Sequence, residues 1–131
     1  MERSADWLKQ SKRDLEKAEL DLKNSFFEWA CFTAQQSAEK AVKALYQKLN
    51  MSVKGHSIVK MLEELQNSAL GISEDLTHSA RILDRYYTVS RYPNGFPEGS
   101  PLDFFDEKIA REALDAANKI VRFCDDKVSK L

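Results

Sequence analysis

The chain is short of the residues that break or cross-link a fold. Its 131 residues include four glycines, three prolines and two cysteines. All three prolines fall between Pro93 and Pro101, so most of the chain lacks the strongest helix stop and can run in long helices. Two cysteines, Cys31 and Cys124, do not make a disulfide framework, and neither belongs to a Cys-x-x-Cys pair. They read as reduced core thiols of a cytoplasmic protein. An excess of one charge is missing too: 20 Lys and Arg stand against 21 Asp and Glu, a net charge of −1. No global field draws the protein to nucleic acid or to a membrane, and any anion site has to come from local clustering. Long hydrophobic runs are absent. The first 25 residues carry charges throughout, so neither a secretory signal nor a spanning helix is expected there. No segment alternates β-branched with polar residues, which argues against a sheet.

Five segments have apolar residues spaced by three and four. The first, about residues 3 to 23, carries a narrow stripe of Leu8, Ser11, Leu15, Ala18 and Leu22. The second, about 26 to 49, lines one face with Cys31, Ala34, Ala38, Ala41, Val42, Leu45 and Leu49, widened near its start by Phe26, Trp29 and Phe32. A third has Ile58, Met61, Leu62, Leu65 and Ala69 behind Ser57 as N-cap. The fourth runs from about Ser73 to Ser90 through Leu76, Ala80, Leu83, Tyr86 and Tyr87. The fifth has Ile109, Ala113, Ala116, Ile120, Cys124 and Val128, with Asp106 as N-cap and Glu107 favourably placed in the first turn. The stretch Asn50 to Gly55 ends the second helix, and Gly71 separates the third from the fourth. The pattern predicts one all-α domain over residues 1–131, with a long proline-stiffened loop before the last helix. That loop carries Tyr92, Phe96, Phe104 and Phe105, and loops of this length in compact domains are often functional.

Catalytic signatures fail in turn. Gly95 and Gly99 lie in a proline-rich turn, and no Gly-Lys-Ser/Thr phosphate loop occurs. The two histidines, His56 and His78, are 22 positions apart and show no metal-ligand spacing. Nothing in the sequence pairs either cysteine with a histidine as a nucleophile. No catalytic set, metal site or cofactor is expected.

Two groups of polar residues remain that packing does not explain. On the second helix Gln36, Glu39 and Lys43 are three to four apart and share one face beside the apolar stripe. The second group is the run Arg81-Ile-Leu-Asp84-Arg85-Tyr86-Tyr87-Thr-Val-Ser-Arg91-Tyr92-Pro93, in which three arginines face a single Asp84. Guanidinium forks suit phosphate or carboxylate, and neighbouring tyrosines offer stacking surfaces for bases. The competing expectation is that Asp84 and Glu39 absorb these arginines internally, while Arg91 helps cap the end of the fourth helix.

At these residues the chain resembles the HEPN family of small helical domains linked to nucleotide binding. The resemblance spans about residues 5 to 125. It rests on an ordered set: Ala18-Glu-Leu-Asp-Leu22, then Phe32-Thr-Ala-Gln-Gln-Ser-Ala-Glu-Lys-Ala-Val-Lys-Ala-Leu45, then Gly55-His-Ser57, Asp84-Arg-Tyr-Tyr87 and Arg91-Tyr-Pro93. It implies an up-and-down four-helix bundle with an additional short helix, paired as a homodimer. It also implies, for many members, a minimal nucleotidyltransferase partner in a two-component, often toxin–antitoxin, system. Some members are metal-independent ribonucleases whose motif is an arginine followed, after four to six residues, by a histidine. Here the positions after Arg91 hold Phe96, Pro97 and Glu98, and no histidine follows His78. Phenylalanine and proline cannot move a proton, and arginine is a poor general base.

The sequence therefore reads as a non-catalytic module for nucleotide or RNA phosphates, for a nucleotidyltransferase partner, or for both. Arg81, Arg85 and Arg91 are expected at the anion, Tyr92 as a stacking or pocket-shaping group, Glu39 as the acid that orients an arginine, and Lys43 beside it. Two alternatives stand next to this reading. One is a divergent metal-independent ribonuclease using Arg91 with Glu98 or His56; the other is a purely protein-assembly module.

Overall fold

A computed structural model describes residues 1–131 and contains helices and no strand. The helices are α1 (Ser4–Lys23), α2 (Phe27–Lys48), α3 (Ile58–Glu64), α4 (Glu74–Asp84), α5 (Tyr86–Val89), α6 (Pro101–Phe104) and α7 (Glu107–Lys130). Helices α1, α2, α4 and α7 form an up-and-down bundle, and α3 is the additional short helix, packed on α4.

The end of each long helix follows from its local chemistry. Helix α1 stops at Ser25, which takes a left-handed φ of 65°. The Phe26 N–H then reaches back to the Asp21 carbonyl at 2.8 Å and the Ser25 N–H to Leu22 at 3.1 Å. Helix α2 ends the same way at Asn50, φ 56°, with the Met51 N–H on the Tyr46 carbonyl at 2.9 Å. These are left-handed caps that satisfy the last carbonyls of a helix. The first makes the α1–α2 link a three-residue turn, which forces the two helices antiparallel. At the other ends, Ser57 and Asp106 act as the N-caps expected of them, accepting from Lys60 N at 3.2 Å and Ile109 N at 2.9 Å.

Helix α2 is the centre of the bundle. Ala30, Ala34, Ala38, Ala41 and Ala44 are fully buried, and side chains this small let neighbouring helices approach closely. Where α1 crosses α2, Ser11 Oγ donates to the Ser37 carbonyl at 2.6 Å and Ser37 Oγ returns a bond to the Ser11 carbonyl at 2.8 Å. The apolar stripe of α1 thus includes a hydroxyl because a reciprocal partner meets it. Cys31 and Cys124 are buried free thiols, as expected.

Three expectations need correction. The segment Ser73–Ser90 is not one helix: the hydrogen-bond ladder lapses at Arg85, between α4 and α5. The run Tyr86-Tyr87-Thr88-Val89 is aromatic and β-branched, hence weak in helix propensity, and Ser90 Oγ bonds back to the Tyr86 carbonyl at 2.5 Å, a contact that bends helices. The third helix is shorter than its stripe: α3 ends at Glu64, and Ala69 lies outside it. The proline-stiffened loop before the last helix carries short elements of its own. It holds a 3₁₀ turn at Pro93–Gly95 and then α6, started by Pro101 and by a capping box between Ser100 and Asp103. Stacking of Phe96 on Phe104, with ring centroids 4.3 Å apart, closes it on itself. Finally, Phe26 and Trp29 do not widen the core face of α2; both are exposed.

Candidate functional site

The turn between α2 and α3 sets the site. Gly55 has a φ of +89° with nothing near its missing side chain, so backbone conformation rather than space demands glycine there. Its turn delivers His56 and Ser57 to the start of α3. Asp84, the last residue of α4, then fastens the turn: its carboxylate accepts from the Ser57 hydroxyl at 3.0 Å, from Ile58 N at 2.9 Å and from Val59 N at 3.0 Å. Two of the orphan amides at the start of α3 are thereby satisfied by a negative group, the favourable sign for that end of a helix.

On the α2 side lies a polar chain. Gln35, fully buried, donates to the His56 carbonyl at 3.1 Å and to Glu39 Oε1 at 3.2 Å. Gln36 donates to Gln35 at 2.8 Å. The Glu39 carboxylate, 5% exposed, also accepts from Lys43 Nζ at 3.0 Å and faces His56 Nδ1 at 3.1 Å. A buried carboxylate is tolerated only when donors surround it, and this one has three. Gln36, Glu39 and Lys43 are thus linked in one hydrogen-bonded network that reaches His56 through Glu39 and Gln35.

His56 lies flat on Tyr87, with ring centroids 4.4 Å apart and planes 17° apart. The Tyr87 carbonyl in turn receives Arg91 Nε at 2.9 Å and Nη2 at 2.6 Å. The guanidinium carbon sits 4.2 Å from the Phe32 ring centre, 4.8 Å from that of Tyr87 and 5.0 Å from that of Tyr92. Cation–π attraction at these distances favours the charge without neutralising it. No carboxylate lies within ion-pair distance of Arg91; every ion pair in the chain is made by other residues. A depression of about 240 Å³ on the His56 side of this cluster is lined by His56, Ser57, Asp84, Tyr87 and Thr88 and shares Tyr87 with Arg91.

Of the six residues singled out in the sequence, Arg91, Tyr92, Glu39 and Lys43 join this assembly through Tyr87 and His56. Arg81 does not; it pairs with Glu74 at 3.0 Å at the far end of α4. Arg85 is exposed and makes no ion pair or hydrogen bond. Its charge falls on Tyr86, whose phenol is pushed up mainly by burial and which packs on Phe105 rather than on Tyr87. Glu39 orients a histidine and a lysine, not an arginine, and Asp84 caps α3 and touches no guanidinium. The expectation that Arg91 caps its own helix end is met by the Tyr87 contact. Sequence reasoning gave His56 too little weight. Its signal was the triplet Gly55-His-Ser57, a left-handed turn followed by an N-cap. No three His, Cys, Asp or Glu side chains converge as a metal-holding group.

The site thus sits on an all-helical bundle, with His56 just ahead of the short α3 held by a carboxylate on α2 and Arg91 just past the end of α5. The HEPN domain family matches residues 4–127, and the chain belongs to that family. Among solved structures it is similar to TT1696 from Thermus thermophilus, with a TM-score of 0.93 and 39% identity over 97% of this chain and 99% of that one. It is also similar to ST0689, an archaeal HEPN homologue, with a TM-score of 0.83 and 38% identity over 98% of this chain and 99% of that one. A HEPN domain protein from Thermotoga maritima has a TM-score of 0.78 and 38% identity, covering 95% and 98%. No curated protein matches the chain. No helix is long and apolar enough to cross a membrane.

Proposed function

We propose that residues 1–131 form a single HEPN module that binds phosphate-bearing ligands, nucleotide or RNA, at the cluster around Arg91. The observation that carries this reading is a guanidinium held in place by a carbonyl and three aromatic rings yet paired with no acid. An internal salt bridge spends an arginine's charge, whereas a backbone carbonyl leaves it for a ligand. Nε and Nη2 are turned to the Tyr87 carbonyl, so a ligand meets the guanidinium through its remaining N–H groups. Tyr92, 49% exposed, offers its outer surface to a base. Lys43 and Glu39 act behind His56. Arg85, exposed between α4 and α5, adds positive charge nearby, whereas the Arg81 charge is taken by Glu74.

HEPN domains are commonly dimeric. We extend the proposal to a homodimer in which two such sites face one cleft, with a minimal nucleotidyltransferase as the partner protein in a toxin–antitoxin-type pair. The exposed aromatics Phe26, Trp29 and Tyr92 suit such contacts.

Fluorescence anisotropy with labelled single-stranded RNA and with a labelled adenosine diphosphate tests the binding claim. Arg91→Lys keeps the charge and loses the fork, and Arg91→Ala loses both. Weaker binding by both variants, with unchanged circular dichroism, supports the reading; binding equal to wild type by folded variants overturns it.

A second reading, a divergent metal-independent ribonuclease, draws on one observation: a histidine oriented by a carboxylate stands next to the arginine. Clean cuts in RNA with a chelator present, lost in His56→Gln and in Arg91→Lys, would replace the binding module with that enzyme.

A further inference from the structure

We propose that His56 contacts the ligand through Nε2 and that this contact takes up a proton; the proposal rests on the reading of the site as a phosphate-binding one. The argument begins with the Glu39 carboxylate, which lies 3.1 and 3.3 Å from His56 Nδ1 through its two oxygens. An ionised carboxylate only accepts hydrogen bonds, so the single proton of the neutral imidazole sits on Nδ1. Nε2 is then a lone pair. The His56 side chain is 52% exposed while that of Glu39 is 6% exposed. The ring therefore has a tethered inner edge and a free outer part, and it lines the depression shared with Ser57, Asp84, Tyr87 and Thr88.

A phosphodiester near neutral pH carries no proton and only accepts. Facing a lone pair it is repelled; facing an N–H it is bound by a charge-assisted hydrogen bond. Contact at Nε2 thus requires a second proton on the ring, taken from solvent as the anion arrives. The groups around His56 are Glu39 with Lys43 behind it on α2, Asp84 at the end of α4, and Tyr87 on α5 with Arg91 on its carbonyl. Of these, Arg91 is the cation without an acid. Both Arg91 and His56 contact Tyr87, and Glu39 is the positioning residue that decides which imidazole nitrogen carries the first proton.

The test is isothermal titration calorimetry with a single-stranded oligoribonucleotide bearing hydroxyl groups at both ends, so that no terminal phosphate titrates. Wild-type affinity should rise severalfold as the pH is lowered from about 8 to about 6. Two buffers of different ionisation enthalpy should report proton uptake. His56→Gln keeps a polar side chain that does not titrate and should flatten the profile. Glu39→Gln carries an amide N–H that can donate to Nδ1, which moves the ring proton to Nε2. It should flatten the profile while binding more tightly than wild type at about pH 8. A flat wild-type profile, or a slope that survives in folded His56→Gln, overturns the proposal and leaves the binding module standing. Folded wild-type protein that binds no RNA at any pH overturns both.

Discussion

Arg91 is anchored to Tyr87 through a carbonyl oxygen, by bonds of 2.9 Å from Nε and 2.6 Å from Nη2, and no acid of its own chain neutralises it. The contact closes the end of α5, supplying a cation where the helix dipole leaves negative partial charge. It also fixes the guanidinium among Phe32, Tyr87 and Tyr92. One side chain thereby serves the fold while its charge has no ion-pair partner in the chain.

If phosphate supplies the missing negative charge, RNA affinity should fall as salt rises, because counterions are released. Arg91→Ala should flatten the plot of log affinity against log salt by about one phosphate contact. Arg81→Ala should leave the slope nearly unchanged, since Glu74 already occupies that guanidinium. Anisotropy titrations at several salt concentrations measure both; equal slopes for wild type and Arg91→Ala contradict the assignment.

Asp84 ties two helices with three hydrogen bonds. Asp84→Ala leaves the Ile58 and Val59 amides without their partner and should cost about 2 kcal/mol. A denaturant titration should show the loss as a lower midpoint at unchanged slope. An unchanged midpoint would mean that water replaces the carboxylate at no cost.

Ser25 and Asn50 hold left-handed conformations that glycine adopts without strain. Ser25→Gly should raise stability by about 0.5–1 kcal/mol, with a smaller gain for Asn50→Gly because asparagine already tolerates this region. Thermal melts check the order, and a fall in melting temperature for Ser25→Gly would contradict the cap geometry.

Burial pushes the Cys31 thiol up to about 12, with Glu28 adding to the effect, and it pushes Cys124 up as well. A raised folded-state value favours the protonated thiol in the native protein. The stability tied to it is complete below the unfolded value of 9.0 and is lost as pH rises through about 12. Native protein at about pH 8 should resist a thiol reagent and react at both cysteines once denatured. Rapid labelling without denaturant would show that the bundle opens.

The helical pattern carried most of the fold. Stripes such as Leu8, Ser11, Ala18 and Ala34, Ala38, Ala41 coincide with buried positions, because one face of a helix must meet the core whatever its neighbours are. The caps Ser57 and Asp106 were equally readable, since capping is local. What the pattern could not give was pairing across the bundle. Asp84 could have met Arg81, one turn away, or the adjacent Arg85, but tertiary placement gave it to the amides of α3. Glu39 and His56 are 17 positions apart, and nothing periodic links them. The break at Arg85 was hidden because both halves keep an apolar rhythm. Arg91 and Tyr92 stand out by residue type, and Tyr87 by its place among the tyrosines of that run, but its stacking on His56 links residues far apart in sequence that no pattern joins.

The most direct test of a free guanidinium at Arg91 is a ¹H–¹⁵N spectrum of the arginine side chains during titration with single-stranded RNA. The account predicts shifts at Arg91 Nε–Hε, accompanied by the His56 imidazole nitrogens, with Arg81 unmoved. Shifts confined to other arginines, or none at saturating RNA, would contradict it.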